Sequence, residues 1–265
     1  MQQGRRVILT RPSSDNQAWA AGLQQAGYLV QIWPLIDIAA LTLNPPLSDT
    51  LAHKPPCQAI MFVSRNAVKH AMPALAGVVD WATTRCWVTG PGSRQALLAA
   101  GVPAAAIDAP HESAAQFDTE ALWQVVRPGL KKDQPVLILR GSEADQSDSQ
   151  MQGVGRDWLT QQLQSVGVPV LARAVYQRQC PVWHQDQCAQ AALAATDGSV
   201  WVLSSSQAVA HLQKLLPAQP WAAAKALATH ERIAQAAHQI GFIQIKVCKP
   251  TLSALLASLE SWHEQ

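Results

Sequence analysis

The pattern of apolar and polar residues divides the chain into four segments of two kinds. The first segment begins with a short apolar run at 7–9, continues through a polar turn and a helical pattern that ends at Gly27, and closes with a second apolar run at 28–33. Residues 135–172 repeat this order, and their helical pattern ends at Gly167. This order of strand, turn, helix and strand predicts a βαβ unit, and its recurrence indicates an internal repeat.

The second kind of segment also occurs twice. Predicted strands at 59–63 and 200–203 each end in a Ser-containing turn and continue as a helix. Each is followed by another strand and by a turn and helix, at 90–101 and at 230–241, that close on a glycine before a short strand. The alternation predicts two doubly wound α/β sheets with parallel strands, which are flavodoxin-like domains. The pattern leaves open whether the two domains are sequential, divided near residue 125, or exchange segments.

The composition supports folded domains and excludes several classes of protein. Apolar residues make up 48% of the 265 residues, which is enough for real cores and excludes a disordered chain. Charged residues make up 14% and the formal net charge is +2, so the chain lacks the electrostatic field that binds nucleic acid or a membrane surface. Any anion must therefore be bound by a few locally placed residues.

The cysteines and the N-terminus point to a cytoplasmic protein. The five cysteines form no CxxC pair and no zinc-knuckle spacing, which predicts reduced and mostly buried thiols. They are Cys57, Cys86, Cys180, Cys188 and Cys248. The N-terminal residues lack the apolar core of a signal peptide, and no apolar run approaches the roughly 18 residues of a membrane span.

Polar or cationic residues follow almost every predicted strand. In open α/β sheets, ligands bind beyond the carboxyl ends of the strands, where helix N-termini present N–H groups. Ser and Thr hydroxyls and Arg side chains at these turns suit carboxylate or phosphate oxygens, whereas simple N-capping is the alternative role of each single Ser. The candidate anion-binding residues are Arg11, Ser13, Ser64, Arg65, Asn66, Gly90, Ser93, Arg140, Gly141, Ser204, Ser205, Ser206 and Arg232.

Several catalytic and cofactor motifs are absent from the sequence. There is no GxGxxG after a strand, no GxxxxGK[ST] and no HExxH, and the eight histidines show no metal spacing. The serines at 204–206 lack the glycines of a GxSxG nucleophile elbow. We therefore expect a protein without a metal or an organic cofactor.

Tyr176 is the candidate for proton chemistry. It is one of two tyrosines and lies in the segment AVYQR at 174–178, where the chain is expected to cross between domains. A phenol at such a crossing could donate a proton or a hydrogen bond into an inter-domain cleft, and a half-buried packing residue is the alternative.

Taken together, these motifs resemble the uroporphyrinogen-III synthase family over nearly the whole chain. Each piece is short, but their order and spacing are specific. The matching segments are VILTRP (7–12), LQQAGY (23–28), WPLIDI (33–38), FVSRNAV (62–68), VTGPGSRQALLAAG (88–101), LILRG (137–141), GRDWLTQQLQSVGVPV (155–170), VYQR (175–178) and VLSSSQAV (202–209).

The resemblance implies a discontinuous two-domain fold. One domain would contain 1–36 and 179–265, and the other would contain 41–171. Two strands, at 36–41 and 171–178, would form the linker between them. A hinge of this kind would allow the domains to rotate.

The resemblance also implies the reaction. A family member would cyclise the linear tetrapyrrole hydroxymethylbilane to uroporphyrinogen III, with inversion of ring D through a spiro intermediate and loss of water. It would be a cytoplasmic lyase without a cofactor and, we expect, a monomer. Hydroxymethylbilane synthase would be the candidate partner for handing over the substrate. By resemblance, Tyr176 would assist loss of the hydroxyl, and the candidate anion-binding residues would hold the substrate carboxylates.

Two departures from the family pattern affect the expected site. Where many members repeat the Gly-Pro turn of 90–93, this chain has His230, Glu231 and Arg232, so Thr229 or backbone N–H groups would replace the missing hydroxyl. Residues 143–155 are an insertion rich in Ser, Asp, Gln and Gly, which predicts a flexible loop.

Two other readings of the sequence remain open at this point. One is a non-catalytic, two-lobed protein that binds a polycarboxylate tetrapyrrole, although such a protein would be expected to have lost Tyr176, Arg11 or Arg65. The other is a flavodoxin-like pair of domains that binds a nucleotide, and the lack of a Gly-rich phosphate loop counts against it.

Overall fold

The computed structural model describes residues 5–262 except for 53, 112, 113, 115 and 144–156. Within these ranges the chain forms eleven β-strands and ten α-helices. The strands are β1 (Arg6–Leu9), β2 (Leu29–Ile32), β3 (Asp37–Ala40), β4 (Ala59–Phe62), β5 (Arg85–Trp87), β6 (Ile107–Asp108), β7 (Val136–Glu143), β8 (Val170–Gln179), β9 (Val200–Leu203), β10 (Lys225–Ala228) and β11 (Gln244–Val247). The helices are α1 (Ser13–Gln25), α2 (Leu47–Leu51), α3 (Arg65–Leu75), α4 (Pro91–Ala99), α5 (Thr119–Val126), α6 (Asp157–Ser165), α7 (Gln185–Ala194), α8 (Ser206–Leu215), α9 (Glu231–Gln239) and α10 (Leu252–Glu260).

The chain divides into two compact units. Unit 1 consists of Met1–Asp37 and Gln179–Gln265, and unit 2 consists of Ile38–Arg178. Each unit combines one segment of each repeated kind. Unit 1 contains the first βαβ segment and the second copy of the other kind, whereas unit 2 contains the remaining two.

Unit 1 is built on a five-stranded sheet in the order β2-β1-β9-β10-β11, with all pairs parallel. This is the 2-1-3-4-5 order of flavodoxin-like sheets, and the order reverses between β1 and β9. Parallel strands covered on both faces are apolar throughout, and β9 is indeed buried at every position. Trp201 of β9 contacts the rings of Trp33 and Trp221, at centroid distances of 5.7 and 5.3 Å.

Unit 2 is built on a six-stranded sheet in the order β3-β8-β7-β4-β5-β6, and its order reverses between β4 and β7. Successive residues of β4 point to opposite faces. Ile60 and Phe62 pack in the cluster that includes α3 and α4, whereas Ala59 and Met61 pack against α5 and α6. Helices therefore cover both faces of the sheet, as a doubly wound fold requires.

These sheets confirm the predicted fold class, and they correct the predicted limits of one strand. The sequence predicted a strand at 136–139 followed by a turn, but β7 continues to Glu143 because its polar half pairs with β8. Glu143 is thus strand and not loop. The rest of the predicted loop, 144–155, lies outside the described residues. The segments predicted as linker strands form β3 and most of β8, which are neighbours in the sheet of unit 2.

None of the helices in the described ranges is long and apolar enough to cross a membrane.

Candidate active site

Tyr176 is placed by an irregularity in β8. Arg140 of β7 pairs with Ala174 and the next residue, Gly141, pairs with Tyr176, so Val175 is an extra residue in β8. In a regular strand, Val175 and Tyr176 would point to opposite faces, but here both belong to the core cluster on the α3 side of the sheet. The bulge thus turns the phenol towards the start of α3, a use of bulges that is common near active sites.

Gly141 makes room for the phenol ring. A Cβ atom at position 141 would lie 2.4 Å from both Cε2 and Cζ of Tyr176, much closer than any real contact. Only 1% of the surface of Tyr176 is exposed, so the ring has little space to retreat. Position 141 therefore requires glycine for packing, independently of any role in binding.

The phenol oxygen of Tyr176 lies between two polar side chains. It is 3.1 Å from Oγ of Ser64, and Nη2 of Arg178 donates a long hydrogen bond to it over 3.4 Å. Arg178 in turn forms an ion pair with Glu143 at 3.1 Å between Nη1 and Oε1. The guanidinium also lies 5.9 Å from the centre of the phenol ring. One buried phenol is therefore joined to a hydroxyl on one side and to an ion pair on the other.

Burial and charge shift two ionisable groups beside Tyr176. Burial lowers the pKa of Arg178, but Tyr176 and Glu143 outweigh that effect and the net pKa is raised, so the guanidinium stays charged. Burial, with a smaller effect of the Lys69 charge, lowers the pKa of His70. The His70 ring lies 5.9 Å from the ring of Tyr176, and its Nε2 has no hydrogen-bond partner within the described residues.

Ser64 also caps helix α3. Its Oγ accepts a hydrogen bond of 3.1 Å from the N–H of Ala67, in the geometry of an N-cap residue. Capping was the alternative to ligand binding for each Ser, and Ser64 combines the cap with the contact to Tyr176. Arg65 and Asn66 follow in the first turn of α3, and the Arg65 side chain passes over Gly92.

The remaining candidates of unit 2 lie at neighbouring strand ends. Gly90 is the N-cap residue of α4, and Ser93 is buried in the first turn of that helix. Arg140 lines a pocket of about 420 Å³ on the α5 and α6 side of the sheet, together with Thr89 and Thr160. The eight unit 2 candidates, Tyr176 included, thus either follow β4 and β5 or lie in the second halves of β7 and β8, and Arg140 and Tyr176 occupy opposite faces of the sheet.

Unit 1 holds a separate group of candidates. The guanidinium carbon of Arg11 lies 5.0 Å from the centre of the Trp19 ring. Ser204, Ser205 and Ser206 follow β9, and Ser205 is the N-cap residue of α8 although its side chain makes no cap hydrogen bond. The hydroxyl of Ser206 is buried without a hydrogen-bond partner among the described residues.

Two of the other unit 1 candidates, Thr229 and Arg232, lie at the start of α9, and Ser13 lies at the start of α1. The N–H of Thr229 donates to the carbonyl of Leu203 over 3.0 Å. His230 caps α9 by accepting the N–H of Arg232 at Nδ1 over 3.1 Å, so an imidazole takes the place of the missing hydroxyl. Ser13 is the first residue of α1, and its side chain lies outside the described part of the chain.

Sequence reasoning missed Glu143, Arg178 and His70. Arg178 carried a usable signal, because residues two apart in a strand share a face and Arg178 lies two positions after Tyr176. Glu143 carried none, since its segment was interpreted as a loop. No three His, Cys, Asp or Glu residues of the described ranges are grouped so that they could hold a metal ion.

Comparison with known proteins identifies the family. The family model described as uroporphyrinogen-III synthase HemD matches residues 17–257. The chain belongs to the uroporphyrinogen-III synthase family. It is therefore an enzyme, a lyase of tetrapyrrole biosynthesis that acts on a small-molecule substrate.

Individual relatives support the uroporphyrinogen-III synthase assignment over the full length. The chain is 25% identical to the uroporphyrinogen-III synthase of Synechococcus elongatus, over 99% of this chain and 97% of that protein. It is 28% identical to the uroporphyrinogen-III synthase of Salmonella typhimurium, over 96% and 99%. The crystal structure of the Helicobacter pylori uroporphyrinogen-III synthetase shares the fold, with a TM-score of 0.61 at 16% identity and coverage of 97% and 99%.

Proposed function

We propose that the chain converts hydroxymethylbilane to uroporphyrinogen III with inversion of ring D. In this reaction the terminal hydroxyl takes up a proton and leaves as water. The lone pair of the pyrrole nitrogen delocalises towards the carbon that carried the hydroxyl, which gives an azafulvene cation. The substituted carbon of ring D attacks that carbon and forms a spiro intermediate. The spiro intermediate fragments and recloses at the free position of ring D, and loss of the ring proton restores the aromatic pyrrole.

The observation that carries the proposal is the environment of the Tyr176 hydroxyl. It lies where the strand order of the unit 2 sheet reverses, beside the N-terminus of α3, and ligands of doubly wound sheets bind at such points. A phenol held there by Ser64 and Arg178 is suited to act as the acid for the leaving hydroxyl.

Polar groups at the strand ends support binding of the substrate carboxylates. In unit 2, the starts of α3 and α4 present backbone N–H groups and Arg65 adds a cation; in unit 1, the starts of α8 and α9 do the same, with Arg11 and Arg232 near helix starts. This arrangement suits a substrate with many acetate and propionate arms, because the carboxylates can be held without a large net charge. The protein's main task would then be to hold ring D in the orientation that leads to inversion.

A coupled assay tests the reaction. Hydroxymethylbilane is generated in situ by hydroxymethylbilane synthase, and the oxidised products are separated into type I and type III isomers. We expect the chain to shift the product from type I to type III. Only type I product from folded protein would contradict the proposal and would favour a protein that binds the tetrapyrrole without turnover.

The role of Tyr176 is tested by Tyr176→Phe in the same assay. The variant keeps the buried ring but loses the hydroxyl, so we expect a fall in kcat of roughly 100-fold, the order of a lost general acid. Tyr28→Phe, which changes the only other tyrosine, is the matched control and should retain activity. Equal kcat in the two variants would remove Tyr176 from the mechanism.

A further inference from the structure

The burial of Tyr176 raises the question of how its proton would reach a substrate. Only 1% of Tyr176 is exposed, whereas Ser64, whose Oγ lies 3.1 Å from the phenol oxygen, is half-buried. A substrate at the surface of unit 2 can therefore contact the hydroxyl of Ser64 more readily than the phenol. Arg178 is also half-buried, but a guanidinium does not give up its proton in a protein.

The hydrogen-bond partners assign a direction to each proton. Arg178 can only donate, so the phenol oxygen of Tyr176 accepts its N–H, and the phenol O–H must point to another partner. Ser64 Oγ is the partner within reach. Oγ already accepts the N–H of Ala67, and its second lone pair can accept the phenol O–H. The Ser64 proton is then left to point away from both.

We propose that Glu143, Arg178, Tyr176 and Ser64 form one oriented hydrogen-bond chain, and that the Ser64 hydroxyl delivers the proton to the substrate. Glu143 holds Arg178, Arg178 donates to Tyr176, Tyr176 donates to Ser64, and Ser64 donates outwards. This inference rests on the proposed function. It makes Ser64 the catalytic residue that touches the leaving group, and it makes Arg178 and Glu143 positioning residues.

Every proton that moves along the hydrogen-bond chain has a donor and an acceptor. The Ser64 proton moves to the departing hydroxyl, the phenol proton of Tyr176 moves to Oγ of Ser64, and the carbon–oxygen bond of the substrate breaks with release of water. The phenolate that remains lies beside the Arg178 cation, which stabilises it. The proton lost when the last pyrrole ring regains aromaticity returns through Ser64 and restores the phenol.

The oriented hydrogen-bond chain can be tested without turnover, because the sequence has only two tyrosines and each can be observed separately. Protein labelled with ¹³C at tyrosine Cζ gives two signals, and Tyr28→Phe assigns them. In Arg178→Leu at neutral pH, we expect the Tyr176 Cζ signal to move, because the phenol oxygen loses the hydrogen bond that it accepts from the guanidinium. Arg178→Lys keeps a donor and should reverse part of the shift. A Tyr176 Cζ signal at the same position in wild type and Arg178→Leu would overturn the oriented hydrogen-bond chain.

The delivery step is tested by kinetics of Ser64 variants. Ser64→Ala should lower kcat by roughly 100-fold with little change in KM, whereas Ser64→Thr keeps a hydroxyl and should stay within about 10-fold of wild type. Thr251→Ala removes another side-chain helix cap, at α10 in unit 1, and controls for the loss of stability. It should unfold at a similarly reduced urea concentration while retaining its kcat.

The outcomes separate the relay from the proposed function. Near-normal kcat in Ser64→Ala would overturn delivery by Ser64 even if Tyr176→Phe is inactive. An equal loss of kcat in Thr251→Ala would also overturn it, since instability would then explain both variants. A wild-type protein that makes no type III product would overturn the proposed function and the relay, and the Tyr176 Cζ signal of Arg178→Leu would still decide whether the oriented hydrogen-bond chain exists.

Discussion

At the scale of single residues, the site depends on close packing around the Tyr176 ring. The ring occupies the space that a side chain at position 141 would need, and the bulge at Val175 fixes its direction. Position 141 therefore couples the backbone of β7 to the orientation of the phenol. A substitution at position 141 should therefore lower both the stability of unit 2 and the kcat of the enzyme.

Gly141→Ala tests this coupling. The added methyl would lie 2.4 Å from two ring atoms of Tyr176, so the ring or the strand must move, and overpacking of this kind costs about 1–3 kcal/mol. We expect a lower urea midpoint and a strongly reduced kcat. Gly129→Ala is the control, since nothing lies within 4 Å of its added methyl. Wild-type stability in Gly141→Ala would show that the ring can relocate freely.

His70 should make the stability of unit 2 depend on pH. Burial lowers the pKa of His70 in the folded state, so below the unfolded value of about 6.5 the unfolded chain binds more protons than the folded one. The free energy of unfolding should therefore fall as the pH is lowered from about 7 to 5. His70→Gln should reduce this slope in urea titrations at several pH values. An identical slope in wild type and His70→Gln would assign the pH dependence to other groups.

At the scale of elements, the sequence predicted most strands and helices because their signals are local. Gly27 and Gly167 end their helices with positive φ angles of 86° and 83°, a conformation in which glycine is favoured. The fully apolar strands β4 and β9 are buried in central positions of their sheets, as such runs predict.

The features that the sequence did not predict depend on contacts between segments that are distant along the chain. The polar half of β7, from Arg140 to Glu143, becomes a strand only because β8 runs beside it. Glu143 and Arg178 are 35 positions apart, so their ion pair has no local signature. The Val175 bulge likewise follows from the pairing of two strands. Sequence could therefore indicate that Tyr176 matters, but it could not supply the residues that orient it.

The buried position of β5 between β4 and β6 in unit 2 can be tested through the thiol of Cys86. Cys86 has no exposed surface, and burial raises its pKa to about 12, so it should not react with a thiol reagent while the sheet is intact. Cys188 of α7 is partly exposed and serves as the reactive reference. In mass-spectrometric labelling at pH 8, we expect Cys86 to be modified only at urea concentrations that unfold unit 2. Rapid labelling in native buffer would contradict the buried position of β5.

At the scale of the whole molecule, the division into two units predicts independent folding of the continuous one. Unit 2 contains its complete six-stranded sheet and cores on both faces, so a fragment of residues 38–178 should unfold cooperatively in urea with an α/β circular dichroism spectrum. A fragment of residues 1–125, divided as in the sequential alternative, lacks β7 from the middle of the sheet and should not. Cooperative unfolding of 1–125, or its absence in 38–178, would contradict the division.

The interruption of unit 1 by unit 2 also determines the order in which a ribosome completes the two. The strands β1 and β2 emerge first, but β9, the other neighbour of β1 in the sheet, lies beyond the whole of residues 38–178. At a synthesis rate of roughly 5–20 residues per second, β9 is made about ten seconds or more after β1. By that time every strand of the unit 2 sheet has been synthesised. Nascent chains arrested just after residue 178 should therefore expose the edge of β1 that β9 later covers, which makes this stage of synthesis the point at which a chaperone that binds apolar segments would engage.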